Sequence, residues 1–297
     1  MINFAYFGSS RLSIIVLNEL LTLGYKPTLI VTTPDKPQGR KLTLTPNVVK
    51  DWAVTHNIPV LDPVKLDANF IEQLKPEKYP LFIVASYGKI IPQAIIDLPV
   101  HKTLNIHPSL LPQYRGASPL PTAILEDTKE TGVSIMQLDH EMDHGPIVAQ
   151  KKINVTDHFK EWPTYEDFEE FMAKQGARLL AEIMPSWVAG AVTPHEQDHT
   201  RATYTKKISK EDGLIDITDL QKNTPSERAY TAFRKVQAFH QWPQAYFFIT
   251  HKGRDVRVKI TEASFSQGKL HIQKVIPEGK KEMSYEDFSL GYGASIA

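Results

Sequence analysis

Three polar side chains in this chain could act together on a carbonyl: Asn105, His107 and Asp143. Asn105 and His107 stand two residues apart at the end of an apparent strand, Thr103–Ile106. Side chains at that spacing leave one face of a strand. Asp143 follows a second apparent strand, Val133–Leu138, in the run Met142-Asp143-His144-Gly145. An amide, an imidazole and a carboxylate meeting where two neighbouring strands end can polarise a carbonyl, hold a developing oxyanion and move a proton. Each fragment alone also reads as ordinary structure, because strand-end histidines are commonly hydrogen-bonded without doing chemistry. The surroundings favour a site: Pro108 and Pro112 bracket Ser109-Leu110-Leu111 and stiffen the loop that leaves His107.

The composition removes other chemistries. Cysteine is absent, which excludes thiolate catalysis, disulfides and Cys-ligated metals. His101, His140, His144 and His158 have no metal-ligand spacing, so no metal is expected. The first strand runs into Gly8-Ser9-Ser10-Arg11-Leu12-Ser13, where a dinucleotide fingerprint would need glycine at 10 and 13. The amino terminus lacks a signal-peptide pattern, and no run reaches the roughly 18 apolar residues of a membrane span. A cytoplasmic protein with no membrane partner is the expectation.

The elements that must position the trio alternate in the first half. Apolar runs at Ile2–Phe7, Thr28–Thr32, Val60-Leu61 and Leu81–Ala85 read as strands. Helical patterns lie between them, the first starting after Ser10, a candidate cap. This order implies an α/β, Rossmann-like, mainly parallel sheet. Strands at Thr103–Ile106, Val133–Leu138 and Ile147–Val155 follow, then a helix over Phe168–Trp187 with Pro185 in or ending its last turn. From Lys206 the rhythm changes to a helix at Ser226–Ala238 and short strands near 245–250, 256–260 and 269–275, a smaller, mainly β domain. The expected organisation is a catalytic domain over 1–189, a linker over 190–207 and a carboxy-terminal domain over 208–297. The 297 residues suit two domains. Residues 206–297 carry 15 Lys+Arg against 11 Asp+Glu, leaving 19 against 23 before them. A mildly basic tail is compatible with weak nucleic-acid attraction, although such an asymmetry is more often only a solvated surface.

The segment Asn105–Gly145, with its Asn-x-His, Ser-Leu-Leu-Pro loop and Leu138-Asp139-x-x-x-Asp143-x-Gly145 context, resembles the 10-formyltetrahydrofolate-dependent formyltransferases. Over nearly the whole chain the resemblance is to the methionyl-tRNA formyltransferases. Pro34-Asp35-Lys36-Pro37-Gln38-Gly39-Arg40 matches a loop that in the family orders against the tRNA acceptor end. Thr203-Tyr204 with Lys207–Gly213, Arg234–Phe239 with Trp242-Pro243, and Pro277–Ser284 match motifs outside the formyl-transfer centre. One departure lies between Ala263 and Lys269, where the family has a longer excursion. The OB-like tail is therefore abridged, and its closure into a barrel is left open.

The resemblance implies formyl transfer from 10-formyltetrahydrofolate to the α-amine of methionyl initiator tRNA. Asn105 and His107 would donate to the oxyanion, and Asp143 would hold the imidazole or accept a proton. Folate contacts are implied at Ser109, Leu110, Leu111 and Pro112, and pterin contacts at Tyr87, Gly88, Leu138 and Asp139. tRNA contacts are implied at Arg40, Lys41, Lys207 and Lys210, and a monomer is expected. Two other readings share the centre: an enzyme that formylates an amino-sugar, and an idle folate-binding protein.

Overall fold

The computed structural model describes residues 2–38, 43–45, 47–74, 78–221 and 223–293. The chain divides into two compact units. The first comprises 1–116, 131–153 and 169–204, and the second 117–130, 154–168 and 205–297.

The first unit is built on a seven-stranded sheet. Its strands are β1 (Ala5–Phe7), β2 (Leu29–Val31), β3 (Val60–Leu61), β4 (Phe82–Val84), β5 (Thr103–His107), β6 (Glu130–Gln137) and β7 (Ile147–Asn154). Their spatial order is β7-β6-β5-β4-β1-β2-β3. The pairs from β3 to β5 are parallel, whereas β6 runs antiparallel to β5. The short parallel strands are apolar without alternation because both faces are covered; β1, β2 and β4 are buried at every position. Phe7, Val31, Phe70, Phe82 and Ile95 form much of the core around them.

The helix Arg11–Thr22 starts as the sequence implies. Ser10 accepts from the Ser13 N–H, and the Ser13 hydroxyl accepts from the Ser10 N–H, a reciprocal cap. The order of strands reverses at β1, so the crevice between the carboxyl ends of β1 and β4 is where open α/β sheets bind ligands. Here Ser9 Oγ donates to the Tyr87 carbonyl (2.7 Å), tying the two loops that border it. The helix Tyr165–Val188 continues through Pro185. Its Gly176 permits close approach to β5, since a Cβ there would lie 2.5 Å from Ile106 Cγ2. The strand that carries Asn105 and His107 is thereby backed by a helix.

The second unit holds an antiparallel sheet in the order β8 (Tyr246–His251), β9 (Arg254–Ser266), β10 (Lys269–Pro277) and β11 (Met283–Ser284). Among the described residues it is an open sheet, with β8 and β11 at its edges. The strands are longer than the sequence suggests because two-residue turns join them. Lys252-Gly253 and Gln267-Gly268 all have positive φ, the type I′ arrangement that suits a twisted hairpin. The second of these turns stands where the longer excursion is missing. The helix Ser226–Ala238 buries Ala229, Ala232, Phe233 and Val236, one helical face.

Asp127 is a polar node of this unit. It accepts from Trp162 Nε1 (2.5 Å) and Tyr230 Oη (3.0 Å) and pairs with Lys129 (2.8 Å). Desolvation pushes its carboxyl up, but the hydrogen bonds from Lys129, Trp162 and Tyr230 outweigh it and hold the group below the usual carboxylate range. Asp127→Ala strands the indole N–H of the buried Trp162, and should destabilise this unit by roughly 2–3 kcal/mol at neutral pH. A depressed folded pKa stabilises above the unfolded value of about 3.9, and that contribution is lost as pH falls below it. The gap between wild type and variant in urea unfolding should therefore narrow as pH falls from about 5 to about 3. A constant gap would contradict it.

Candidate active site

Asn105 and His107 lie at the carboxyl end of β5 and are buried. The Nδ1 of His107 stands 3.6 Å from Asp143 Oδ1. That is longer than a hydrogen bond, so the carboxylate faces the ring without seizing it. The ring is held from its other side, where Nε2–H donates to the Tyr114 carbonyl (2.9 Å). A carbonyl carries no proton, so Nε2 must bear one, and Nδ1 is the nitrogen left to meet a substrate. The sequence expectation gave Asp143 the task of holding the imidazole; the Tyr114 carbonyl makes the direct contact. Among the described residues, no partner hydrogen-bonds the Asn105 carboxamide. A strand-end amide without a partner beside a histidine suits an oxyanion donor.

Asp143 has φ +52°, a left-handed backbone that a side-chain-bearing residue adopts at a cost. Its Oδ2 accepts from the Gly116 N–H (2.7 Å), which leaves Oδ1 toward His107. Gly145, two residues on, has no room for a Cβ: such an atom would run into the Gln137 carbonyl oxygen.

The loop after β5 is stitched from below. Ser134 Oγ donates to the Ser109 carbonyl (2.6 Å) and accepts from the Leu111 N–H (3.1 Å). Gln150 Nε2 donates to the Leu111 carbonyl (2.8 Å). Ser109 and Leu111 are buried, whereas Leu110 and Pro112 are partly exposed. Tyr87 and Gly88 follow β4, on the neighbouring strand end. The Tyr87 ring is buried against Phe7, and desolvation raises its phenol to about 12.

Leu138 and Asp139 are placed differently. Because β6 is antiparallel, Leu138 N–H donates to the Thr103 carbonyl (2.9 Å), at the opposite end of β5 from His107. Asp139 binds His144 Nδ1 (2.7 Å), within the loop that carries the chain back to Asp143. Lys207 and Lys210 are exposed residues of the second unit. Arg40 and Lys41 lie outside the described residues.

Two buried residues in this site have no local sequence signal. Arg115 and Gln197 pair side chain to side chain, and Gln197 also reaches the backbone of Asp143. The stretch 190–205 reads as irregular from its residues. In space it returns across the first unit, where His195 bridges Ile147.

A family profile described as formyl transferase matches residues 4–183. A methionyl-tRNA formyltransferase of Geobacillus sp. is 34% identical over 320 aligned positions, covering 100% of this chain and 96% of that protein. Among solved structures, methionyl-tRNA formyltransferase from Clostridium thermocellum superposes with a TM-score of 0.60 at 15% identity, covering 93% of this chain and 99% of that one. HypX from Aquifex aeolicus in complex with tetrahydrofolic acid gives 0.65 at 16% identity, covering 99% of this chain and 47% of that one. At such identities the structures speak for the fold alone: a mostly parallel α/β domain followed by a small antiparallel sheet. The profile and the sequence relatives carry the assignment, and by them the chain belongs to the formyl transferase family, among the methionyl-tRNA formyltransferases.

Proposed function

We propose that this protein transfers the formyl group of 10-formyltetrahydrofolate to the α-amine of methionyl initiator tRNA, supplying N-formylmethionyl-tRNA for translation initiation. The observation that carries the reading is the meeting of Asn105, His107 and Asp143 at the end of β5. The neutral amine attacks the formyl carbon, forming a C–N bond and an oxyanion. Asn105 donates its amide to that oxygen, and His107 Nδ1–H donates beside it. As the bond to the folate nitrogen breaks, that nitrogen takes a proton from Nδ1. The amine's proton leaves toward Asp143, directly or through water. The amine is already a competent nucleophile, so these residues need only place and stabilise charge.

The folate is read as lying along Ser109–Pro112, with Tyr87, Gly88, Leu138 and Asp139 as its pterin surroundings. Leu138, at the far end of β5, is the weakest member by register. Residues 1–189 are assigned to catalysis, 190–207 to linkage and 208–297 to tRNA contact, with Lys207 and Lys210 facing solvent for that purpose. A cytoplasmic monomer is the accompanying proposal. None of the described helices is long and apolar enough to cross a membrane.

The deciding assay supplies 10-formyltetrahydrofolate with methionyl initiator tRNA, methionyl elongator tRNA and an amino-sugar nucleotide. Initiator tRNA should be formylated fastest; preference for the sugar would replace this reading. Arg40, assigned to tRNA phosphates through its loop's resemblance, gives a second test. Arg40→Ala should slow formylation of charged tRNA far more than hydrolysis of the folate, and wild-type binding should weaken with salt. Equal loss in both reactions would remove Arg40 from the tRNA site.

A further inference from the structure

Asp143 needs help to stay where it is. Its backbone is left-handed, and the loop around it is otherwise exposed at His140, Glu141 and Met142. Gln197 provides that help from 54 positions along the chain. Its Nε2 donates to the Asp143 carbonyl (2.9 Å) and to the Gly145 carbonyl (2.7 Å). Its Oε1 accepts from Arg115 Nε (3.2 Å) and Nη2 (2.7 Å). A guanidinium has donors only, so Arg115 fixes which end of the amide faces it and turns the NH2 group toward Asp143. Both side chains are buried, Arg115 at 1% and Gln197 at 4% exposure.

The same guanidinium reaches one residue further. Arg115 Nη2 donates to His199 Nδ1 (2.8 Å), and the His199 ring stacks on His144 at 4.0 Å, nearly parallel. His144 is in turn tied to Asp139 (2.7 Å). The residue after Arg115, Gly116, supplies the N–H that holds Asp143 Oδ2. The main-chain carbonyls of Asp143 and Gly145, and one oxygen of the Asp143 carboxylate, are therefore all gripped from the Arg115–Gly116 and Gln197–His199 segments.

We infer that Gln197, oriented by Arg115, is a positioning residue that keeps the Asp143 carboxylate opposite His107. The inference rests on the reading of this trio as the formyl-transfer centre. It assigns a catalytic consequence to a residue that touches neither substrate nor the reacting atoms.

The test uses the full chain with Gln197→Glu and Gln197→Met. Glutamate retains an acceptor for Arg115, which favours folding, but sets an oxygen where the donor to two carbonyls stood. Methionine removes both functions at similar volume. For the folded variants kcat should fall about 10²-fold, as for a reacting group misplaced by about 1 Å, with KM for the folate nearly unchanged. Residues that act through one another are not additive. Adding Gln197→Glu to Asp143→Asn should therefore cost little beyond Asp143→Asn alone. An equal cost in both backgrounds, or an unchanged kcat in Gln197→Glu, would overturn the inference.

A readout without turnover separates this idea from the assignment of the reaction. The His107 ring ¹⁵N signals should move in Gln197→Glu in the same direction as in Asp143→Asn. If the wild type formylates nothing yet those signals move, the reaction is wrong and the positioning stands. Unmoved His107 signals would overturn the positioning even in an active enzyme.

Discussion

Alanine at Asn105, His107 or Asp143 should each reduce the rate of formyl transfer by about 10²–10³-fold or more, the usual cost of an oxyanion donor or a positioned acid–base group. Each loses a different contribution. Asn105→Ala deletes the one amide at the strand end that no described residue occupies. His107→Ala deletes the donor at Nδ1 and the hydrogen bond from Nε2 to the Tyr114 carbonyl. Asp143→Ala removes the negative charge that faces the imidazole and frees the Gly116 N–H. The sheet itself does not depend on these side chains, because β5 is held by its backbone pairs to β4 and β6. Folate binding should therefore be largely retained. Single-turnover formylation with saturating folate, beside equilibrium folate binding, measures both. A near-wild-type rate in any one variant would remove that residue from the mechanism.

Gly145→Ala should have a comparable effect without touching a polar group. The added methyl collides with the main-chain carbonyl oxygen of Gln137, the last residue of β6. A backbone oxygen cannot rotate away as a flexible side-chain end could, so the loop must move. The nearest consequences fall on the Gln197 contact to the Gly145 carbonyl and on Asp143 two residues back. A fall in kcat of about 10²-fold is expected from displacement of about 1 Å, together with roughly 1–3 kcal/mol of overpacking cost. Thermal unfolding and kcat should be measured on the same preparation. A stable variant at wild-type kcat would mean that the loop yields without carrying Asp143 away.

The residues alone specified much of this protein. Continuous apolar runs such as Phe82–Val84 belong to strands covered on both faces, and their alternation with helical periods fixes a parallel α/β sheet. The Asn105-x-His107 spacing placed two groups on one face of β5, and the motifs from Pro34 to Ser284 were sufficient to name a family. What they could not specify is everything that depends on a partner far away in the chain. The antiparallel run of β6 sends Leu138 to the amino end of β5, a matter of strand direction that side-chain patterns do not encode. The long hairpins of the second unit depend on positive φ at Lys252 and Gln267, residues with no intrinsic preference for it. The contact of Asp143 with His107 spans 36 positions, and the grip of Gln197 on Asp143 spans 54. Periodicity and spacing report only on neighbours within a turn or a strand. Such long-range contacts exist because the whole sheet has assembled and brought its connecting loops together, and only the tertiary structure decides which of them meet.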